Sequence, residues 1–198
     1  MRQETGSNPN STNKKVSIQV KLGGRSFSVD NFNEHRKAKQ IEFIVDTPRV
    51  TLAPCEEVSS DTAQEILRLA GKPCRANEQY VCSERQGEMV AIIAIDSEAL
   101  TAITKQWGSK ISFSSPLLDM RHSEESCLTV KISEDVCYLH LFNAGLQRAE
   151  ALDAATPEDI LFHVTEWIGN ANIPIYIIGK PEVAKLLRKY YKQVICES

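Results

Sequence analysis

Residues 127–161 read CLTVKISEDVCYLHLFNAGLQRAEALDAATPEDIL, and the order of patterns inside this stretch decides the fold. Residues 127–132 and 136–142 are apolar-rich runs joined by the polar turn Ser133-Glu134-Asp135, which predicts two strands and a hairpin. A third, weaker strand covers residues 146–152. Then Thr156-Pro157-Glu158-Asp159 supplies a Thr cap, a proline at the first helical position and acids in the first turn, so a helix begins there. Its apolar face is Ile160, Leu161, Val164, Trp167 and Ile168. Residues 173–178 are a buried strand bounded by Gly179. Pro181 opens a second helix with Val183, Leu186, Leu187 and Tyr190 inward, and residues 193–196 form a last short strand. A meander followed by crossover helices implies a mixed sheet with helices packed on it.

Upstream, a similar order appears more loosely. Residues 16–20 alternate with period two, Gly23-Gly24 suits a tight turn, and Phe27 and Val29 continue the alternation. Apolar runs follow at 41–45 and 49–53. Ser59 and Ser60 can cap a helix with Ala63, Ile66, Leu67 and Ala70 inward, stopped by Gly71 and Pro73. Residues 79–83 read as a strand, and 89–95 as a strand buried on both faces. Asp96 or Ser97 caps a helix carrying Leu100, Ile103 and Trp107, ended by Gly108, with one more strand at 111–113. The polar run 122–126 marks a boundary. The expected organisation is a disordered tail at 1–15, a first unit at 16–121 and a second at 127–198, alike in element order and without residue-level repetition.

Composition narrows the function classes. The chain has 198 residues, 42% hydrophobic and 25% charged, with a net charge of −3, which excludes a generally basic nucleic-acid binder. Charge is uneven: residues 1–40 carry +5 and the remainder −8. The cluster His35-Arg36-Lys37-Ala38-Lys39 reads as a solvated loop, since no aromatic stacking platform accompanies it. No apolar run approaches the roughly 20 residues that span a bilayer, and the first residues lack the apolar stretch of a signal peptide, so a cytoplasmic location is expected. The six cysteines (Cys55, Cys74, Cys82, Cys127, Cys137 and Cys196) form no Cys-x-x-Cys pair and are expected as reduced thiols.

The duplicated order resembles the actin-like ATPase fold (ribonuclease H-like units, α/β, mixed sheets with packed helices). The chain is more specifically similar to a bacterial domain-of-unknown-function family with that fold. The segments that carry this are Arg49-Val50-Thr51-Leu52-Ala53-Pro54, Phe113-Ser114-Ser115-Pro116-Leu117-Leu118, Leu141-Phe142-Asn143, Thr156-Pro157-Glu158-Asp159-Ile160-Leu161 and Ile175-Tyr176-Ile177-Ile178-Gly179-Lys180. None is a catalytic signature. The resemblance also implies a final helix after Cys196, which this sequence does not contain.

Active members of that fold grip ATP between two hairpins and a glycine turn, so the resemblance points to specific positions here. The first hairpin has Gly23 and Gly24 but no acid. The second has Glu134 and Asp135 but no glycine, and two carboxylates there repel a triphosphate. The adenosine turn has the single glycine Gly179. Gly23, Gly24, Asp135 and Gly179 are therefore expected to outline a vestigial cleft with no cofactor; the alternative is ATP with magnesium. The leading expectation is a catalytically inactive protein-binding module, acting on an unknown protein partner or by self-association. The alternative is a divergent nucleotide-binding ATPase or phosphotransferase, and a nucleic-acid accessory factor using the basic N-terminal segment is a third class.

Other candidates read more plainly. There is no Gly-x-x-x-x-Gly-Lys-Ser/Thr loop and no Gly-x-Ser-x-Gly elbow. His163 and Glu166 lie three apart without a third metal ligand in view, so they are expected as a surface pair. His140 is expected as a hydrogen-bonded core or edge residue, His122 with Glu124 and Glu125 as solvated linker, and Trp107 and Trp167 as core anchors rather than stacking platforms.

Overall fold

A computed structural model describes residues 15–21, 40–119 and 125–197. In the second half, β7 (Cys127–Ser133), β8 (Val136–Phe142) and β9 (Leu146–Asp153) form an antiparallel meander. β10 (Ile175–Ile178) then pairs in parallel with β7, and β11 (Val194–Glu197) in parallel with β10. The sheet order is β11-β10-β7-β8-β9, so the meander's first strand lies at the centre. The two crossovers run through α3 (Pro157–Ile168) and α4 (Pro181–Leu187), as parallel neighbours require.

The caps explain where these helices start. Thr156 Oγ1 accepts from the Asp159 N–H at 3.2 Å, and Asp159 Oδ2 accepts from the Thr156 N–H at 2.8 Å, with Pro157 at the first position. That Thr156 N–H holds the Asp159 carboxyl below the usual carboxylate range. Helix α3 buries Ile160, Val164 and Ile168, and α4 buries Val183, Ala184 and Leu187. Both pack on the sheet face carrying Leu128, Val130, Ile132, Cys137, Leu139, Ile175 and Ile177.

The opposite face of the same sheet meets the first half. Val136, Tyr138 and Ala151 share a core with residues from β2 (Gln40–Asp46), β3 (Val50–Pro54), β5 (Met89–Asp96), α2 (Ser97–Trp107) and β6 (Ile111–Ser114). Phe43 anchors that core, its ring 5.3 Å from Trp107 and 6.1 Å from Phe113. Lys72 pins the halves together, donating to Val50 O at 2.8 Å and Ala151 O at 2.7 Å; burial brings its ammonium pKa down to about 8.

The first half departs from the expected single sheet. β1 (Lys15–Lys21) and β2 pair in parallel, as do β2 and β6, giving the order β1-β2-β6. β3 and β4 (Glu78–Cys82) instead flank β5 in an antiparallel sheet of their own, β3-β5-β4. Two local causes separate them. Pro48 lacks an N–H and cannot continue the β2 ladder into β3. And β5, apolar throughout, needs cover on both faces: one goes to the main core, the other to α1 (Ala63–Leu69), where Ala63 and Leu67 pack on Ala53, Ile92 and Ala94. The predicted hairpin strand at Phe27 and Val29 lies outside the described residues. No helix among the described residues is long and apolar enough to cross a membrane.

Candidate functional site

The ends of β2 and β7 converge with the turn after β10. Asp46 closes β2 and is 5% exposed; Thr47 follows at 2%. The Tyr138 hydroxyl, from β8, donates to Asp46 Oδ1 at 2.6 Å and accepts from the Thr47 N–H at 3.0 Å. Ser133 Oγ, at the end of β7, donates to Asp46 Oδ2. One carboxylate from the first half thus takes two hydroxyl donors from the second. Burial first, and the adjoining Asp46 carboxylate second, push the Tyr138 phenol far above its ordinary value, so it stays a donor at any working pH.

Asp135 and Gly179 come close to this point. Asp135 lies in the exposed β7–β8 turn, where Glu134 adopts φ 45°, and the Asp135 carbonyl accepts from the Ala154 N–H at 2.8 Å. Gly179 has φ +114°, and a Cβ placed there would stand 2.5 Å from the Ile132 carbonyl oxygen. The glycine is therefore demanded by the chain's own passage under β7. Lys180 Nζ donates to the Glu134 carbonyl at 2.6 Å, tying the β10–α4 turn to the hairpin. Gly23 and Gly24, and the basic cluster at 35–39, lie outside the described residues.

Asp46, Thr47 and Tyr138 were not among the residues singled out from sequence. An acid ending an apolar strand before Thr-Pro, and a tyrosine inside an otherwise aliphatic strand, were the available signals.

The remaining candidates resolve individually. His140 is fully buried; its Nε2–H donates to Leu117 O at 2.8 Å, and burial lowers its pKa. His163 and Glu166 make a 3.7 Å pair on α3, and among the described residues no group of three or more His, Cys, Asp or Glu is placed to hold a metal ion. The six thiols are free, and burial pushes the Cys137 thiol up to about 12. Trp107 is a core residue as expected. Trp167 is half-buried and does serve as a platform: the Arg148 guanidinium lies 4.1 Å from its ring centre. His122 and Glu124 fall outside the described residues.

No protein-family model and no curated protein matches the sequence. Among solved structures, the chain is similar to a Bacteroides thetaiotaomicron VPI-5482 protein with actin-like ATPase fold and unknown function. The TM-score is 0.72 at 16% identity, over 97% of this chain and 94% of that one. Fainter likenesses run to the cytoplasmic domain of EpsL, an inner membrane component of the type II secretion system of Vibrio cholerae (TM-score 0.48, 10% identity, 82% and 81% covered), and to the PilM–PilN type IV pilus biogenesis complex (TM-score 0.46, 12% identity, 82% and 70% covered). The first of these establishes an actin-like ATPase fold for this chain.

Proposed function

We propose that this actin-like chain is catalytically silent and works by binding protein, either a separate partner or another copy of itself. The observation that carries the reading is the closure between its halves. Asp46 of the first half is engaged by Ser133 and Tyr138 of the second, and beside that junction Gly179 packs tightly under the Ile132 carbonyl. Lys180 is committed to the Glu134 carbonyl, and the hairpin beside it exposes two carboxylates. These features support a cleft without magnesium–ATP, since a triphosphate beside that hairpin would face two carboxylates. The free thiols agree with a reducing, cytoplasmic setting.

The reading includes two units, 16–121 and 127–198. Its support is a shared parallel triple: β1-β2-β6 repeats β7-β10-β11 in chain order, direction and neighbour relations. The sheet β3-β5-β4 is then an insertion between the second and third strands of the first triple.

Calorimetric titration with magnesium–ATP tests the proposal. No saturable binding and no phosphate release are expected. Magnesium-dependent turnover that disappears when Gly23 and Gly24 are both changed to Val would establish the ATPase reading instead.

A further inference from the structure

We infer that a second copy of this chain docks through a basic knob around Tyr190 into an acidic depression on α1. Residues 185–192 carry four Lys/Arg and no acid, an inversion of sign on a body that is −8 beyond residue 40. Lys185, Arg188, Lys189 and Lys192 are exposed, and Tyr190, expected inward but placed beyond the end of α4 at Leu187, stands 65% exposed among them. Arg188 bonds the Val194 carbonyl, but among the described residues Lys185, Lys189 and Lys192 have no ionic partner.

The complement lies on the other half. Residues 56–65 carry four acids and no base, all four exposed. Beside them is a shallow depression of about 270 Å³ walled by Asp61, Gln64, Glu65, Arg68, Pro73 and Cys74. Glu65 is neutralised by Arg68 at 2.6 Å, which leaves Asp61 in the wall and Glu56 and Glu57 nearby in sequence as charges without an ionic partner among the described residues. A protruding aromatic flanked by lysines thus matches, in sign, a hollow flanked by carboxylates. α4 packs against β10, β11 and α3, while α1 packs against β3, β4 and β5, so the two surfaces belong to different parts of the molecule. The contact is heterologous, knob of one copy to hollow of the next, and it is salt-sensitive because the charges are exposed. Opposite patches also raise the rate of correct encounter.

The inference rests on the protein-binding reading but fails separately from it, since nucleotide titration addresses the cleft and the following experiment does not. Sedimentation of the full chain is expected to show association at low salt that weakens as salt rises. Lys189→Glu and Asp61→Lys should each weaken it at least tenfold, and Tyr190→Ala about as much. An equal mixture of the two charge variants should associate again, because the intact knob of one meets the intact hollow of the other and the two reversed surfaces are themselves opposite in sign. Should either fail to fold, Lys192→Glu and Glu57→Lys replace them. Three results would overturn the inference: a monomer at every salt, charge variants that associate like the wild type, or a monomer whose basic face captures a single-stranded oligonucleotide or anionic vesicles instead.

Discussion

Strand β8 presents two unlike faces. Toward α3 and α4 it offers Cys137, Leu139 and Leu141, an apolar surface on which the helices pack. Toward the first half it offers Tyr138 and His140, both fully buried and both hydrogen-bonded across the junction, to Asp46 and to Leu117. The helix face is held by burial, which is strong and indifferent to direction. The junction adds placed hydrogen bonds in an apolar setting, which contribute less each but specify one docking geometry. The hydrogen bonds to Asp46 and Leu117 are a property of that second face.

The largest expected effect lies on the helix face. Leu139→Ala removes a fully buried side chain beneath α3 and α4 and should cost about 2–5 kcal/mol in denaturant unfolding. A cost below ~1 kcal/mol would mean the face collapses freely and the contrast is wrong. At the junction, Tyr138→Phe keeps the ring and deletes one donor to the buried Asp46, for a cost of about 1–3 kcal/mol. Ser133→Ala acts on the same carboxylate, so a double-mutant cycle between these two should show coupling of about 0.5 kcal/mol or more. Additivity there would show that the two hydroxyls do not act through one acceptor.

The junction should also impose a pH dependence of its own, through two buried bases. His140 and Lys72 are both bases whose pKa is lowered by burial. Wherever the unfolded chain binds the proton more readily, stability rises with pH. Stability should therefore fall as pH drops below about 6.5, the ordinary histidine value, with a slope no steeper than about 1.4 kcal/mol per pH unit. Lys72, which deprotonates first in the folded protein, should add stability from about 8 to about 9, above which the raised Cys137 thiol opposes it because the unfolded chain's thiol ionises first. His140→Gln should flatten the first window and Lys72→Met the second; an unchanged profile in either variant would remove that group from the account. The smallest effect belongs to the outer surface, where Arg148→Ala loses its stacking on Trp167 and should cost about 0.5–1 kcal/mol.

The second half was legible because its signals are local. The start of α3 is written in Thr156, Pro157 and Asp159 within four residues, and the apolar run of β8 covers its whole length. A meander then helices leaves few ways to close a sheet. The first half was less legible because strand identity does not name a partner. Residues 79–83 and 89–95 read as strands and 49–53 as a weaker apolar run, yet nothing in these patterns says that β5 sits between β3 and β4 and apart from β2. The site was the least legible. Asp46 and Tyr138 are 92 residues apart, and their pairing exists only after the halves dock. Gly179 was visible as a special glycine, but its reason, the Ile132 carbonyl 2.5 Å from a would-be Cβ, is a tertiary fact.

The central claim is that contacts between the halves stand in for a nucleotide. Its most direct test is the melting temperature of the full chain with and without magnesium–ATP. The account predicts the same value across the titration. A rise that grows with ATP concentration, amounting to about 2.7 kcal/mol of added stability at a hundredfold excess over the dissociation constant, would contradict it.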